Sequence, residues 1–400
     1  MGVKLGTVPL EREYLLHLLA AIINNVEPHN PPENVDWENL YKIAANHRLT
    51  NMVYYGVVKL NPDCQPGQSV MKKFYQDYKI GLAREAAQHI ALEQILTTLE
   101  AHHMQCMSLK GSLIKYLYPQ PDMRSMSDLD ILLKAEQTTQ VIRIMKDMGF
   151  TLLDKGGNHD SYHLLPFVRV EMHRRLMSEN TPYSNYFRRT WDRAILQDSC
   201  RYTYQLSLED AFIYIMTHLT KHFVSGGTGI RSILDIWIYN NHYRHKMDWD
   251  YIQTELEEIK LWEFTKTICR LGEIWFSNYP SNEFYSDITD FIFSSGVYGT
   301  KKNVIAAEIN TSAKGKESID LNKKYYWLKL FFPGINPMKI GYPFLRSLPF
   351  LLPICWLFRG VKCMLFKRKG TLQTIRASHS MSEEYVIRLR KIHKQAGLTK

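Results

Sequence analysis

The sequence predicts an α+β fold in which a small mixed sheet lies between helical regions. Apolar residues recur at helical spacing over residues 11–25, 36–60 and 69–102, which is typical of amphipathic helices. The apolar period shortens to that of strands between residues 105 and 173, and it becomes helical again after residue 207. The middle of the chain is therefore expected to form the sheet, and the two ends to form helices.

Length, charge and cysteine content narrow the class of protein. The chain has 400 residues, a formal net charge of +10 and an apolar share of 45%. This length predicts two or three domains, and the apolar share argues against global disorder. The basic balance favours polyanionic partners such as nucleotides, nucleic acid or an anionic membrane, but a basic soluble protein without such a partner fits equally well. Six dispersed cysteines without a C-x-x-C pair and no apolar signal segment near Met1 predict a cytoplasmic location.

The strand-rich segment divides into short elements. Its last strand alternates cleanly, with Val168, Val170 and Met172 on one face and Glu171 and its polar neighbours on the other. The predicted elements are a strand at 105–109, a turn at 110–112, a short helix at 113–118, a strand at 127–133, a helix at 135–148, and strands at 150–153, 159–165 and 167–173.

The rest of the chain is predicted to be helical, apart from one long connection. Helical spacing returns at 207–223, 230–244 and 248–275, and a strongly basic helix is expected at about 382–396. Residues 297–323 are polar and contain glycine, which predicts a long surface loop. The predicted regions are 1–104 (helical), 105–205 (sheet core), 206–296 (helical, on the other side of a cleft) and 297–400 (loop and basic C-terminal helices).

Two aspartates in the strand at 127–133 are the first candidate site residues. Asp128 and Asp130 are expected on one face of the strand, about 7 Å apart, because side chains alternate along a strand. Glu171 on a neighbouring strand would complete a cluster of three carboxylates. Mg²⁺ prefers such hard oxygen ligands, and two ions held this way stabilise the attacking and leaving oxygens of an in-line phosphoryl transfer.

A turn before these aspartates has the composition of a phosphate-binding segment. Gly111 and Ser112 open a short helix, and free backbone N–H groups at a helix start bind phosphate. Ser112 as a simple helix cap is an equally good interpretation. For Asp128 and Asp130 the alternative is a solvated strand edge or a turn cap, and for Glu171 it is a surface pair with Arg169 or a neighbouring cation.

These motifs together resemble the polymerase-β-type nucleotidyltransferase superfamily, whose pattern is Gly-Ser, an acidic pair between apolar residues, and a third acid on a later strand. More narrowly, residues 106–176 resemble the bacterial family of uncharacterised nucleotidyltransferases. The segments that carry this resemblance are Leu109-Lys110-Gly111, Leu117-Tyr118-Pro119, Arg124 before Ser127-Asp128-Leu129-Asp130, Gly149-Phe150 and Val170-Glu171-Met172-His173.

The resemblance implies roles for individual residues. Gly111 and Ser112 would contact the triphosphate, Asp128 and Asp130 would ligate both Mg²⁺ (or Mn²⁺) ions, and Glu171 would ligate the ion that activates the acceptor hydroxyl. Two features depart from the superfamily pattern: fifteen residues separate Ser112 from Asp128, and the third acid is a glutamate.

Further polar residues are candidates for the nucleotide or the acceptor. Lys110 and Arg124 have an alternative as structural partners of nearby acids, and the cations at 218–231 have one as surface residues around a plain interhelical turn. His173 would orient Glu171 or the substrate. The candidates for the phosphates and the metal cluster are Lys110, Arg124, Ser127 and His173; those for the nucleoside or acceptor side are His218, Lys221 and Arg231. A zinc site built from His159, His163 and His173 is disfavoured because their spacing lacks Cys or Glu partners of the zinc type.

The predicted activity is metal-dependent transfer of a nucleoside monophosphate from an NTP, with ATP the expected donor, to an acceptor that the sequence does not identify: a protein, a small metabolite or RNA. The alternative is a non-catalytic nucleotide-binding or membrane-peripheral scaffold that retains the fold. The apolar stretch 348–358 is too short to span a bilayer and is interrupted by Pro349 and Pro353. With its basic flanks, the segment 345–369 suits either peripheral contact with an anionic membrane or a buried C-terminal helix pair.

Overall fold

The computed structural model describes residues 10–179, 181–277, 279–312, 319–366, 368–379 and 381–398. The chain forms two compact units. The first takes in the residues up to 219 together with 230–282, and the second takes in 220–229 together with the residues from 283 onward.

The first unit begins with four helices. The predicted helical run at 36–60 is divided in two because Arg48 adopts a positive φ of 55°, which an α-helix cannot accommodate. Asp36 caps the second helix, where its carboxylate accepts a hydrogen bond from the backbone N–H of Asn39 at 3.1 Å. The four helices are α1 (Leu10–Ile23), α2 (Trp37–Asn46), α3 (Thr50–Val57) and α4 (Gln68–Ala101).

A mixed sheet follows, and with its flanking helices it confirms the predicted α+β class. The strands are β1 (Cys106–Ser108), β2 (Leu129–Leu133), β3 (Thr151–Lys155), β4 (His159–Leu164), β5 (Val168–His173), β6 (Ile195–Leu196) and β7 (Thr203–Gln205). Their order in the sheet is β3-β4-β5-β2-β1-β7-β6, in which β2 pairs parallel with β5, β1 pairs parallel with β7, and the other neighbours are antiparallel. The sequence did not predict β6 or β7, because strands of two or three residues carry no periodic signal.

One face of this sheet forms the core of the first unit. Two short helices belong to the same region, α5 (Gly111–Ile114) and α6 (Thr138–Asp147). The apolar residues that alternate along β2 and β5 are buried in one cluster with apolar residues of α4 and α6. Each such side chain contributes about 1.5–3 kcal/mol when buried. Because side chains alternate, this packing leaves the opposite face of β2 and β5 for polar residues.

Four helices follow β7, and the first of them, α7 (Leu208–Ser225), continues into the second unit. The predicted helix at 248–275 is interrupted at Lys260, whose φ of 58° ends one helix before the next begins at Trp262. The helices are α7 (Leu208–Ser225), α8 (Ile230–Tyr243), α9 (Trp249–Glu258) and α10 (Trp262–Phe276).

The described residues of the second unit form helices and the connections between them, without a strand. The prediction of a loop at 297–323 is wrong for residues 301–312 and 319–323, which are helical. The first of these helices is stabilised by packing, since Ile305, Ala306 and Ile309 are buried on one side of it. Residues 313–318 of that prediction lie outside the described residues. The helices are α11 (Glu283–Ser295), α12 (Lys301–Ser312), α13 (Ile319–Phe331), α14 (Ile335–Gly341), α15 (Leu352–Phe366), α16 (Arg368–His379) and α17 (Glu383–Gln395).

The apolar stretch at 348–358 is not a buried helix. It forms one turn of 3₁₀-helix, Pro349–Leu351, and the first half of α15. Cys355 is buried, but Phe350, Leu357 and Phe358 are exposed to solvent. Among the described helices, none combines the length and the apolar character that a membrane crossing requires.

Candidate functional site

Asp130 and Glu171 lie side by side on the polar face of the sheet. In the parallel pairing of β2 with β5, Leu129 is opposite Val170 and Asp130 is opposite Glu171. Paired residues of neighbouring strands point to the same face, so the core packing of Leu129 and Val170 directs both carboxylates away from the core. The structure thus brings together two of the three predicted metal-binding carboxylates.

Asp130 lies between the ammonium group of Lys110 and the imidazole of His173. Nζ of Lys110 is 3.0 Å from its Oδ2, and Nε2 of His173 is 2.7 Å from its Oδ1. Burial alone would raise the pKa of Asp130, but these two partners together hold it well below its usual range. The same contacts act on the partners: burial lowers the pKa of His173, but its hydrogen bonds to Asp130 and Glu171 raise it above the ordinary value. Asp130 is therefore ionised at neutral pH.

Glu171 has a wider set of neighbours. Its Oε2 lies 3.4 Å from Nε2 of His159 and 3.5 Å from Nε2 of His173, and its Oε1 lies 3.5 Å from Nη2 of Arg169. The hydrogen bond with His173 lowers the pKa of Glu171, against the opposing effect of burial. Glu171 is thus also a carboxylate held in its charged form.

Asp128 lies one residue before the start of β2, whereas the sequence predicted it within the strand. It is half-buried, and its pKa is raised first by burial and then by the negative charges of Asp130 and Glu171. The three carboxylates therefore repel one another, and a bound cation would relieve that repulsion.

The turn at Lys110 is attached directly to β2. The backbone N–H of Leu109 donates to the carbonyl of Asp130 at 3.0 Å, and Lys110 adopts a positive φ of 26° immediately before α5. A Cβ at Gly111 would lie 2.5 Å from Nη1 of Arg124, so only glycine fits without displacement. Ser112 is buried, and among the described residues its hydroxyl has no hydrogen-bond partner.

Arg124 is held in a buried ion pair. Its Nε and Nη2 each donate to one carboxylate oxygen of Asp235 at 2.7 Å, and the hydroxyl of Tyr118 donates to the same carboxylate at 2.8 Å. This geometry supports the structural alternative for Arg124, and a contact with phosphate stays a prediction. Asp235 was not predicted as a functional residue. The feature that could have indicated it is an acidic residue among the buried apolar residues of α8.

The remaining predicted residues are distributed unevenly around the cluster. Nζ of Lys110 donates to Nε2 of His218 at 3.1 Å, which places His218 next to the carboxylates. Arg48, which was not predicted, donates to the hydroxyl of Ser127 at 2.9 Å. Arg231 donates to the backbone carbonyl of Ser125 at 2.6 Å, two residues before Ser127. Lys221 lies in the part of α7 that belongs to the second unit, and its role stays a prediction.

Two histidines of the zinc alternative do lie together. Ligand atoms of His159, Glu171 and His173 are within 4.8 Å of one another, a group able to hold a metal ion. His163 is not part of this group. This group offers two imidazole nitrogens and one carboxylate, and the neighbouring carboxylates of Asp130 and Asp128 add the hard oxygen donors that Mg²⁺ or Mn²⁺ prefers.

Comparison with known proteins identifies a family for this chain. The family model described as uncharacterised nucleotidyltransferase matches residues 33–277, more than half of the chain. This range contains all of the sheet and each of the carboxylates described above. Neither a curated protein nor a solved structure matches the chain significantly.

Proposed function

The chain belongs to the family of uncharacterised nucleotidyltransferases, and from this premise we propose that it transfers a nucleoside monophosphate from an NTP, ATP in the first instance, to an acceptor hydroxyl. The acceptor hydroxyl loses its proton to solvent, its oxygen forms a bond to the α-phosphorus, the bond from that phosphorus to the bridging oxygen breaks, and pyrophosphate leaves. The acceptor itself is a protein, a small metabolite or RNA.

The observation that supports this proposal best is the pairing of Asp130 with Glu171 on adjacent parallel strands, with Asp128 close enough to share their field. We assign these three carboxylates as ligands of Mg²⁺ or Mn²⁺. Such ions supply Lewis-acid stabilisation of the phosphates and lower the pKa of the acceptor hydroxyl. His173 keeps Asp130 and Glu171 ionised and orients both, since it contacts each of them.

The turn and its support bind the triphosphate in this proposal. Lys110 offers a positive charge to the phosphates. Gly111 has no side chain, and a side chain at this position would contact Arg124. Arg124 positions this turn through its pair with Asp235 and does not need to touch the nucleotide. Residues 105–205 would thus carry the chemistry. The region 206–296 would contribute the nucleoside or acceptor side through His218 and its neighbours.

The experiment is a pyrophosphate-release assay with each of the four NTPs, with Mg²⁺ or Mn²⁺, and with a cell lysate as the source of acceptor. Asp128→Asn combined with Asp130→Asn removes two ligands and should abolish release. The control Asp147→Asn changes an exposed acid at the end of α6 and should leave release unchanged. Unchanged release in the double variant would refute the assignment.

The non-catalytic alternative has one observation in its favour. Lys110 already neutralises part of the charge of Asp130, as a resident cation would in a protein that only binds nucleotides. Calorimetry distinguishes the two functions: NTP binding without release of pyrophosphate under any acceptor condition supports a nucleotide-binding protein.

A further inference from the structure

A long segment of the second unit contains many basic residues and no acidic residue in its own sequence. Between Leu321 and Ser382 the sequence contains eleven Lys or Arg residues and no Asp or Glu. The eleven are Lys323, Lys324, Lys329, Lys339, Arg346, Arg359, Lys362, Lys367, Arg368, Lys369 and Arg376. A one-signed segment of this length selects for a polyanionic partner.

The same segment presents an apolar stripe to solvent. Along α15 the side chains of Ile354, Leu357, Phe358 and Val361 are 48%, 73%, 65% and 54% exposed. Their spacing of three, four and seven residues from the first places them on one face of the helix. Single exposed apolar residues are ordinary, but a continuous helical stripe indicates an interaction surface.

The opposite face of α15 is fixed by packing, which determines the outward direction of the stripe. Cys355 is buried in a small cluster with Met338 and Leu345. The indole N–H of Trp356 donates to the carbonyl of Pro333 at 2.9 Å, and Arg359 donates to the carbonyl of Leu330 at 2.9 Å. These contacts tie α15 to the end of α13, so the exposed stripe is not the face that the helix uses to fold.

The end of α13 adds further exposed apolar and aromatic surface. Leu328 and Phe332 are exposed, and the ring of Phe332 packs edge-on against Trp356 with 5.2 Å between ring centroids. Nearby, Nζ of Lys329 lies 4.6 Å from the ring centroid of Tyr325. Aromatic rings with adjacent lysines are the composition of segments that lie in the headgroup region of a bilayer.

We propose that α15 and the end of α13 form a docking surface for an anionic lipid bilayer, on which the protein lies without crossing the membrane. An anionic bilayer supplies both acyl chains for the stripe and negative headgroups for the cations. Nucleic acid would satisfy the charge but leave the stripe in water. A second copy of the chain would bring two positive surfaces together. This surface lies in the second unit, whereas the carboxylate cluster lies in the first.

The test is co-sedimentation of the full chain with vesicles. The chain should bind vesicles of phosphatidylglycerol and phosphatidylcholine in equal parts, and bind vesicles of phosphatidylcholine alone at least about tenfold more weakly. Leu357→Gln combined with Phe358→Gln should lower the partition coefficient on anionic vesicles about tenfold or more, since it removes the two most exposed residues of the stripe. The matched control, Ile90→Gln with Ile387→Gln, changes two exposed helical residues elsewhere and should leave binding unchanged.

Charge is tested separately with Lys324→Gln and Lys362→Gln, both exposed. This pair should weaken binding to anionic vesicles and leave the small residual binding to neutral vesicles as it was. Circular dichroism confirms that each variant is folded. The proposal would be overturned if the chain bound neutral vesicles as tightly as anionic ones, or if it bound RNA but not vesicles. It would also be overturned if the chain bound no vesicles but self-associated in a way that the stripe substitutions abolish.

Discussion

Replacing Asp235 by alanine tests how the nucleotide-binding turn is supported. The substitution leaves the guanidinium of Arg124 buried without its partner; the two side chains are only 8% and 9% exposed in the pair. Removing one member of a buried ion pair costs about 3–5 kcal/mol, because the remaining charge has lost its compensation. Tyr118 also loses the acceptor of its hydroxyl, which adds to the loss. We expect Asp235→Ala to lower the free energy of unfolding of the first unit by at least about 3 kcal/mol.

Urea unfolding followed by circular dichroism measures this change. The control is Asp192→Ala, which breaks an exposed pair with Arg189, where the side chains are 83% and 60% exposed, and should cost less than about 1 kcal/mol. A loss of under about 1 kcal/mol in Asp235→Ala would show that the buried pair contributes as little as a surface pair, and the reasoning would fail.

A double variant separates stability from function. Arg124→Met with Asp235→Leu replaces the ion pair by apolar side chains, and such replacements recover most of the stability lost in single variants. In the proposed enzyme, NTP turnover should stay low in this double variant, because the guanidinium that packs against Gly111 is gone. Recovery of both stability and turnover would mean that Arg124 has no part in positioning the turn.

Three further outcomes follow from single contacts. Gly111→Ala should raise the KM for NTP and cost about 1–3 kcal/mol in urea unfolding, since its Cβ would lie 2.5 Å from a nitrogen of Arg124; an unchanged KM would contradict this. His17 has a pKa below the ordinary 6.5, first because of burial, and its Nε2 accepts a backbone N–H at 2.9 Å. The unfolded chain therefore binds a proton at His17 more readily than the folded chain does, and the free energy of unfolding should fall as the pH drops below 6.5. His17→Gln should make this fall smaller, as measured by urea midpoints at a series of pH values. Lys110→Met should strengthen Mg²⁺ binding in the absence of nucleotide and weaken NTP binding, both measured by calorimetry; equal Mg²⁺ affinity would show that the ammonium does not compete.

The elements with a long or strict period were predictable from the sequence. The alternation in β5 predicted the placement of Glu171 on the polar face, and the structure agrees. The sequence also predicted that Glu171 lies on a strand next to that of Asp130, but the direct pairing of the two residues was not predictable, because strand register depends on the packing of the whole sheet and not on either strand alone.

What the sequence could not predict depends on long-range partners or on local backbone geometry. Asp235 and Arg48 are far in the sequence from the residues that they contact. A local sequence pattern does not identify such distant partners. Helix ends at Arg48 and Lys260 depend on a positive φ at a residue other than glycine, which composition does not indicate. The helix α12 was taken for a loop because its apolar residues are few, and burial against α13 and α17 stabilises it.

The contact between Lys110 and Asp130 has a consequence for the order in which ligands bind in the proposed enzyme. Burial disfavours the charged lysine, yet its carboxylate neighbour raises its pKa above the ordinary value, so each group stabilises the other's charge. A divalent ion that binds alone must displace the ammonium from Asp130 and leave it, largely buried, without a carboxylate partner. An NTP carrying its ion brings phosphate oxygens that can accept the ammonium in place of the carboxylate. The ion and the nucleotide are therefore expected to bind together, with weak Mg²⁺ binding in the free protein.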